Sequence, residues 1–562
     1  MVIGPLLVAF IALWAIVPTL APTVANWDTA EFQTVGPVLG TAHPTGYPAY
    51  VILGWIASIL FQPFGDPAYT MNVLQAFLTA LAVAATTALV IVLTGRQLLA
   101  LAVGLGLLVM PTVDNVSVDL PVGGNLPVSP VFMRLATHAD PHMLHAALVA
   151  IIFGLLVMWD RRIHELEPAD RGRADKWLVA AALAYAVAVA NHSLALLLPP
   201  AIGLFVLLVD WRVVLRWRSM LACVVALVVP MVVLFAELPI RAAMHAPLVY
   251  GHPDTLGGFL YVVLGQQFGG SIVDPFGGLG TKASDIVSLM SGWLGPLIYV
   301  GILGIGTSLI KRPRYMALSA PTFLITCFFS VSYANADIER YFLVPILIAF
   351  TWVGLGAADL ITSAAALGTW VADRMVPGEK AAAGQSSAST DRTSAAGRFG
   401  IAVLACEMIV ALVLIAPIPG TVSARQEPTG GVFSGGVSQA GQTQAATVMK
   451  VILAPADIKG SLPQGAVLVS WWSTSTTLWY GQRVLHLRPD IYIVDDRTRL
   501  DDNLGTVQDV FNKFLGNRPL FAIRTSGGSD GMLALMDEYD MQPFTLSDGS
   551  TISQVVGRKG NQ

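Results

Sequence analysis

The stretch 21–70 contains no Lys or Arg, and within it Asp28 and Glu31 stand three residues apart. A helix starting here would set both carboxylates on one face. Without a basic neighbour in sequence, such a pair suits a general base or a divalent cation. The same spacing also fits a helix start, with Asp28 as cap and Glu31 completing a capping box. Spacing alone leaves both open. Downstream in the same stretch runs Ala42-His43-Pro44-Thr45-Gly46-Tyr47-Pro48. A second polar group, His138, Asp140, His142 and His145, has spacings that can bring two ligands to one helix face. It lacks the His-Glu-x-x-His order of a zinc protease, so substrate hydrogen bonding and a structural cluster at a helix start compete with metal binding. His192 follows Asn191 where two apolar runs meet, and reads as a hydrogen-bonding group. Trp471, Trp472, Trp479 and Tyr480 could stack on a sugar, but packing is the commoner role for such residues.

These side chains must be positioned by membrane helices. Charged residues are 12% of the 562, about half the share of a soluble protein; hydrophobic residues are 55% and mean hydropathy is +0.66. Several water-soluble globules cannot be covered with so little polar surface, so the chain reads as an α-helical polytopic membrane protein. A net charge of −4 leaves no basic footprint for nucleic acid. The three cysteines, Cys223, Cys327 and Cys406, all lie in apolar runs and offer no disulfide framework to a soluble part.

About eleven apolar runs could cross some 30 Å of hydrocarbon, near 3–20, 71–94, 98–112, 142–159, 177–192, 193–210, 219–238, 286–310, 315–333, 341–363 and 400–417. The run 48–63, bounded by prolines, reads as a juxtamembrane helix. With the N-terminus inside, sixteen Lys and Arg fall in the cytoplasmic loops and only Arg134, Arg241, Lys282 and Arg340 in the outer ones, as the positive-inside rule requires. Thr23-Val24-Ala25 looks like a cleavage site, but no positive charge precedes the first run, so it reads as a retained helix. Charge is denser after residue 418. The expected organisation is a membrane body over 1–418, with a flexible cytoplasmic linker at 375–399. A second linker at 419–448 leads to a small extracytoplasmic α/β domain at 449–562. Within that domain strands are expected at 466–470, 491–494, 520–524 and 552–556, and helices at 506–515 and 531–539.

Asp-x-x-Glu-Phe followed by Ala-His-Pro-x-Gly-Tyr-Pro resembles the transmembrane O-mannosyltransferase-like family, long labelled a domain of unknown function and related to the GT-C glycosyltransferases. Four further segments are similar to that family: Asn191-His192, Tyr250-Gly251-His252-Pro253-Asp254, Asp337-Ile338-Glu339-Arg340-Tyr341-Phe342-Leu343, and Gln482 with Arg488-Pro489-Asp490. The chain departs from the pattern at Thr45, at Asp140-Pro141-His142 and at His252.

The resemblance implies a GT-C fold and an inverting transfer of a sugar, mannose in relatives, from a polyprenyl-phosphate carrier to a hydroxyl of an exported protein. It implies Asp28 as base, with a pKa raised by its membrane-edge setting, and Glu31 orienting it or the acceptor. His43 and Tyr47 belong to the same motif. A leaving phosphate wants a cation. Arg340, at the head of a span, is the first candidate, against pairing with Asp337 or Glu339 or simple snorkelling; Arg134 and Arg241 follow. Asp140, His142 and His192 would face donor or acceptor. No cofactor is demanded; a divalent cation at the acidic pair is left open. The competing class is a transporter or flippase of a lipid-linked precursor, which would want ionisable groups deep in the spans. Glu237 and Glu407 are the principal acidic candidates there, whereas the notable charges gather at the outer ends.

Overall fold

The computed structural model describes residues 2–111, 117–120, 124–335, 337–375, 388–427, 437–523 and 538–560. The first half of the membrane body runs α1 (Ile3–Ile16), α2 (Trp27–Val38), α3 (Pro48–Leu60), α4 (Pro67–Thr94), α5 (Gln97–Val109), a hairpin of β1 (Ser117–Leu120) and β2 (Gly124–Pro127), α6 (Val131–Leu135), α7 (His142–Glu165) and α8 (Asp175–Asn191). The second half runs α9 (Pro199–Asp210), α10 (Trp217–Phe235), α11 (Glu237–Ala243), α12 (Leu256–Val263), α13 (Leu279–Leu294), α14 (Leu297–Lys311), α15 (Pro313–Ser330), α16 (Leu343–Met375), α17 (Ala388–Ile415) and α18 (Ile418–Gln426).

Local sequence explains several boundaries. The Asp66 carboxylate accepts the Tyr69 N–H at 2.8 Å and Pro67 opens α4, while Gly95, at φ 73°, closes it in the left-handed region. Among the described residues, five stretches are long and apolar enough to cross a bilayer: Pro67–Thr94, His142–Glu165, Trp217–Ala243, Ile338–Ala372 and Gly397–Gln426. The chain is therefore a multi-pass membrane protein. The expected single span at 286–310 is instead the pair α13 and α14, bent by 115°. Gly295, at φ 52°, and Pro296 break the helix there. If the bent pair is one span, the number is six. The other expected runs fold as shorter helices; α5, with 13 residues, reaches only about 20 Å.

Helix α16 is the axis of the body: its apolar window is wholly buried, between α14, α17, α5, α4, α15 and α7. Its approach to α14 is backbone-close. A Cβ on Gly304 would lie 1.9 Å from the Trp352 carbonyl, and one on Gly356 would lie 2.1 Å from that of Val300. Small residues permit such contact between helices in lipid. By contrast α10 buries none of its residues and turns Leu221, Val224, Val228 and Val232 outward, as a lipid-facing helix should.

After α18 come α19 (Gln444–Ile452), β3 (Val467–Val469), α20 (Trp472–Arg483), β4 (Tyr492–Val494), α21 (Asp496–Asp501), α22 (Val507–Phe514), β5 (Leu520–Ala522), β6 (Tyr539–Thr545) and β7 (Thr551–Arg558). The sheet order is β4-β3-β5-β7-β6, parallel across β4, β3 and β5 and antiparallel beyond. Alternation sends Leu468, Ile493 and Phe521 to one face, with Leu478 and Tyr480 of α20, and Val467, Val469 and Val494 to the other, with Phe511. The first face shares its core with Val24, Ala30 and Ala68 of the membrane body. Hydrogen bonds tie the two parts: Thr477 Oγ1 donates to the Ala25 carbonyl at 2.7 Å, and the Ala68 N–H donates to Tyr480 Oη at 3.1 Å.

Three expectations shift. The linker expected over 375–399 is shorter, because α17 already runs from Ala388; residues 376–387 lie outside the described residues. The linker expected over 419–448 is helical in α18 and from Gln444, with 428–436 outside the described residues. Most of the helix expected over 531–539 also lies outside them, and Tyr539 opens β6 instead.

Candidate active site

Helix α2 starts at Trp27, whose φ of 58° turns the chain sharply out of the preceding loop. Its N-cap is Asn26, which makes no side-chain capping bond. Asp28 and Glu31 therefore do not form a capping box. Asp28 sits in the first turn, where the helix dipole favours a carboxylate. Its Oδ2 receives Arg340 Nη2 at 2.9 Å and its Oδ1 receives the Trp472 indole N–H at 2.9 Å.

Arg340 is the hub. It is 8% exposed, and its other terminal nitrogen reaches Asp140 Oδ2 at 3.4 Å, with Asp337 more distant at 3.9 Å. Of the partners expected for it, Glu339 is taken instead by Arg134 and by the Ser129 hydroxyl at 3.1 Å. The partners that count come from elements 312 and 200 residues away. Asp140 also accepts the His142 backbone N–H at 2.7 Å and faces its Nδ1 at 2.9 Å.

Glu31 points the other way. Fully buried, it accepts the His43 backbone N–H at 2.8 Å and lies 2.5 Å from His43 Nδ1, while Tyr47 Oη stands 3.1 Å from Nε2. Glu31 thus braces His43 and Tyr47 and does not touch Asp28.

The electrostatics reverse one expectation. Burial does push the Asp28 carboxyl upward, but Arg340, then His43 and the Trp472 hydrogen bond, outweigh it, and the net shift is downward. Asp140 is held well below the usual carboxylate range: burial opposes ionisation, and His142 and Arg340 overcome it. Burial disfavours the His43 imidazolium, yet the adjacent Glu31 raises its pKa overall. His138 is pushed down to about 4 by burial and stays neutral.

A cavity of about 480 Å³ opens over these groups. Asp28, His43, Tyr47, His142, His192 and Arg340 all line it, with Glu31 and Asp140 directly behind. The His142 and His192 rings stand 4.4 Å apart, and Nε2 of each has no hydrogen-bond partner among the described residues. Two candidates are not brought in. Arg134 is consumed by Glu339, and Arg241 donates to the carbonyls of Leu39 at 2.8 Å and Val38 at 3.1 Å, closing the C-terminal end of α2. His145 sits a turn deeper, 6.0 Å from His192. Among the described residues no group of three or more His, Cys, Asp or Glu is placed to hold a metal ion; a guanidinium occupies the position between Asp28 and Asp140.

The remaining motif segments brace the outer architecture. The Gly251 N–H donates to Asp501 Oδ1 at 3.1 Å, tying this loop to α21. Gln482 Nε2 donates to the carbonyls of Arg488 and Ile491, and Arg488 pairs with Asp490. Tyr250 alone of these reaches the cavity. Trp472, expected to pack or stack, bonds Asp28 from 444 residues away, and no spacing signal announces such a contact. Trp27, Phe268, Tyr333 and Tyr341 complete the walls.

The cavity lies at one end of the bundle. Helices α7 and α16 start beside it and run to Asp160, which pairs with Arg314, and to Asp359, which pairs with Lys311 and Arg312. Arg216 pairs with Asp175 and Asp210 on that far side.

Residues 28–215 match the family model described as the protein O-mannosyl-transferase TMEM260 N-terminal domain. The fold is similar over nearly the whole length to the crystal structure of ArnT from Cupriavidus metallidurans bound to undecaprenyl phosphate. The TM-score is 0.52 and identity 14%, covering 98% of this chain and 97% of that one. The N-terminal third of the chain is thus similar to a protein O-mannosyl-transferase domain, and the fold of nearly the whole chain is similar to that of ArnT.

Proposed function

We propose that the chain moves a sugar from a polyprenyl-phosphate carrier to a hydroxyl acceptor at the extracytoplasmic face, with inversion. Family likeness points to mannose and to Ser or Thr of exported proteins. The observation that carries this reading is the Asp28–Arg340 pair in one cavity: a carboxylate able to take a proton beside a guanidinium able to take a phosphate.

In the reaction, the acceptor oxygen attacks the anomeric carbon while its proton passes to Asp28. The bond from that carbon to the phosphate oxygen breaks, and the electron pair leaves with the polyprenyl phosphate. The carrier gains one negative charge, which the Arg340 guanidinium offsets. The proton then leaves Asp28 for solvent. His142 and His192, whose Nε2 atoms at the cavity wall have no partner among the described residues, are available to the donor or acceptor, and Tyr47 and His43 line the same cavity.

Two further facts support the reading. The fold relative carries undecaprenyl phosphate, and the positively charged loops gather at the end away from the cavity, which by the positive-inside rule favours an outer position for the cavity and the C-terminal sheet. Helix α3 then lies at the outer interface. The transporter alternative gains nothing from Glu407, which accepts the N–H groups of Leu98 and Leu99 at the start of α5.

Mass spectrometry of exported glycoproteins from cells with and without the chain tests the reading. Hexose lost from Ser or Thr of specific proteins is expected. An unchanged set of glycoproteins would overturn it.

A further inference from the structure

Each oxygen of Asp28 accepts one hydrogen bond, from Arg340 and from Trp472, and the guanidinium beside Oδ2 weakens the carboxylate as a base. Basicity rises if one donor moves away, and the geometry distinguishes the two. Arg340 belongs to the membrane body, lines the cavity and has a second anchor in Asp140. It can therefore swing from Asp28 toward an incoming phosphate while remaining tethered. Trp472 has no such freedom. Its ring stands edge-on to His43 at 6.0 Å and to Trp479 at 5.6 Å.

The sheet explains why Trp472 is there. From β3 the chain crosses to β4 on one side, and from β4 it crosses to β5 on the other. Ligands of parallel sheets gather at the carboxyl ends of strands where connections diverge in this way. Ser470 to Trp472 leave the carboxyl end of β3 at that point, and Trp472 opens α20, which packs on α2.

We propose that Trp472 is a positioning residue: it holds Oδ1 of Asp28, so that Oδ2, released when Arg340 turns to the donor phosphate, is the oxygen that takes the acceptor's proton. This rests on the reading of Asp28 as base. The C-terminal sheet thereby becomes a working part of the active site, and donor binding precedes base activation. Before the donor arrives, Arg340 masks Oδ2. Afterwards the phosphate charge offsets the guanidinium and Asp28 regains basicity. The proton that moves is the acceptor's own, and it ends in solvent, so no further reactant is needed.

The experiment measures undecaprenyl phosphate binding to the full chain in lipid nanodiscs as a function of pH, which requires neither the sugar nor the acceptor. Asp28 competes with the phosphate for Arg340. Asp28→Asn therefore binds undecaprenyl phosphate about tenfold or more tightly at neutral pH, and the gap to wild type closes as acid protonates Asp28. Trp472→Phe removes one donor from the carboxylate, so the gap closes at a higher pH than in wild type. Trp472→Gln, which can donate again, moves that point back toward wild type; a purely structural tryptophan would shift neither. Equal affinity of Asp28→Asn and wild type would overturn the partner exchange. An unshifted Trp472→Phe profile in a protein that still binds would overturn the role of Trp472. Failure of wild type to bind undecaprenyl phosphate at all would remove the donor reading, and this inference with it.

Discussion

Replacing Glu31 by Gln separates a bracing carboxylate from a catalytic one. Glu31 has no exposed surface and two contacts, the His43 backbone N–H at 2.8 Å and the His43 ring at 2.5 Å. Gln keeps an oxygen for the backbone N–H but loses the charge opposite the imidazole. The lost charge-assisted bond is worth about 1.5–3 kcal/mol. Glu31→Ala removes both contacts and leaves the buried His43 Nδ1 without its charged partner, for about 3–5 kcal/mol. The pH dependence is sharper than the magnitude. The folded-state pKa of His43 is raised, against the pull of burial, by Glu31. Its stabilisation is therefore full below the unfolded value of about 6.5 and fades as pH rises through the higher folded value. Unfolding of detergent-solubilised protein, followed on both sides of that range, should show the Glu31→Gln deficit largest in acid and shrinking in base. A deficit independent of pH, or none, would refute the assignment of Glu31 as the partner that charges His43.

Arg241→Ala should lower stability by about 1–2 kcal/mol, because the carbonyls of Val38 and Leu39 lose their donor; undecaprenyl phosphate affinity within twofold of wild type is expected, checked by the same binding assay. Gly304→Ala drives a methyl into the Trp352 carbonyl and should cost about 1–3 kcal/mol, visible as a lower apparent melting temperature. Asp495 is a stabilising target. Its carboxyl is pushed up to about 6, chiefly by burial, and its Oδ1 caps the Thr498 N–H at 2.9 Å. With the folded value raised, stability is full below about pH 3.9 and is lost as pH rises through about 6. Asp495→Asn keeps the cap without a buried charge, so at neutral pH it should be up to about 2 kcal/mol more stable than wild type, with a flatter pH profile.

Which parts of this arrangement were legible follows from what a linear sequence can express. Apolar runs mark helices because hydrophobic length is a local property, but the run at 286–310 divides into two helices and several others are shorter than a full span. The bend at Gly295 and Pro296 was missed, because the apolar run continues through the glycine–proline pair and reads as one span. Among the basic residues, scarcity made Arg340 a candidate, and it does enter the cavity. Arg241 and Arg134 looked equivalent in sequence, and only tertiary structure shows that backbone carbonyls and Glu339 hold them. Asp28 and Glu31 share one helix face but serve different partners, because His43 returns to Glu31 while Arg340 arrives from a distant helix. The expected upward pKa shift of Asp28 failed for that reason. Burial acts as anticipated, but the charges that outweigh it come from far along the chain. Trp472 was the hardest to see, since an indole N–H aimed at a carboxylate has no pattern at a separation of 444 residues.

Turnover by Asp28→Asn tests the central claim most directly. With full-length protein in nanodiscs, a polyprenyl-phosphate-linked mannose donor and a Ser/Thr-rich peptide from a protein whose glycosylation depends on this chain, product is counted by mass spectrometry. Loss of transfer by about 10²-fold or more, with carrier binding retained or tighter, is predicted. An Asp28→Asn protein that transfers sugar at the wild-type rate would contradict the account.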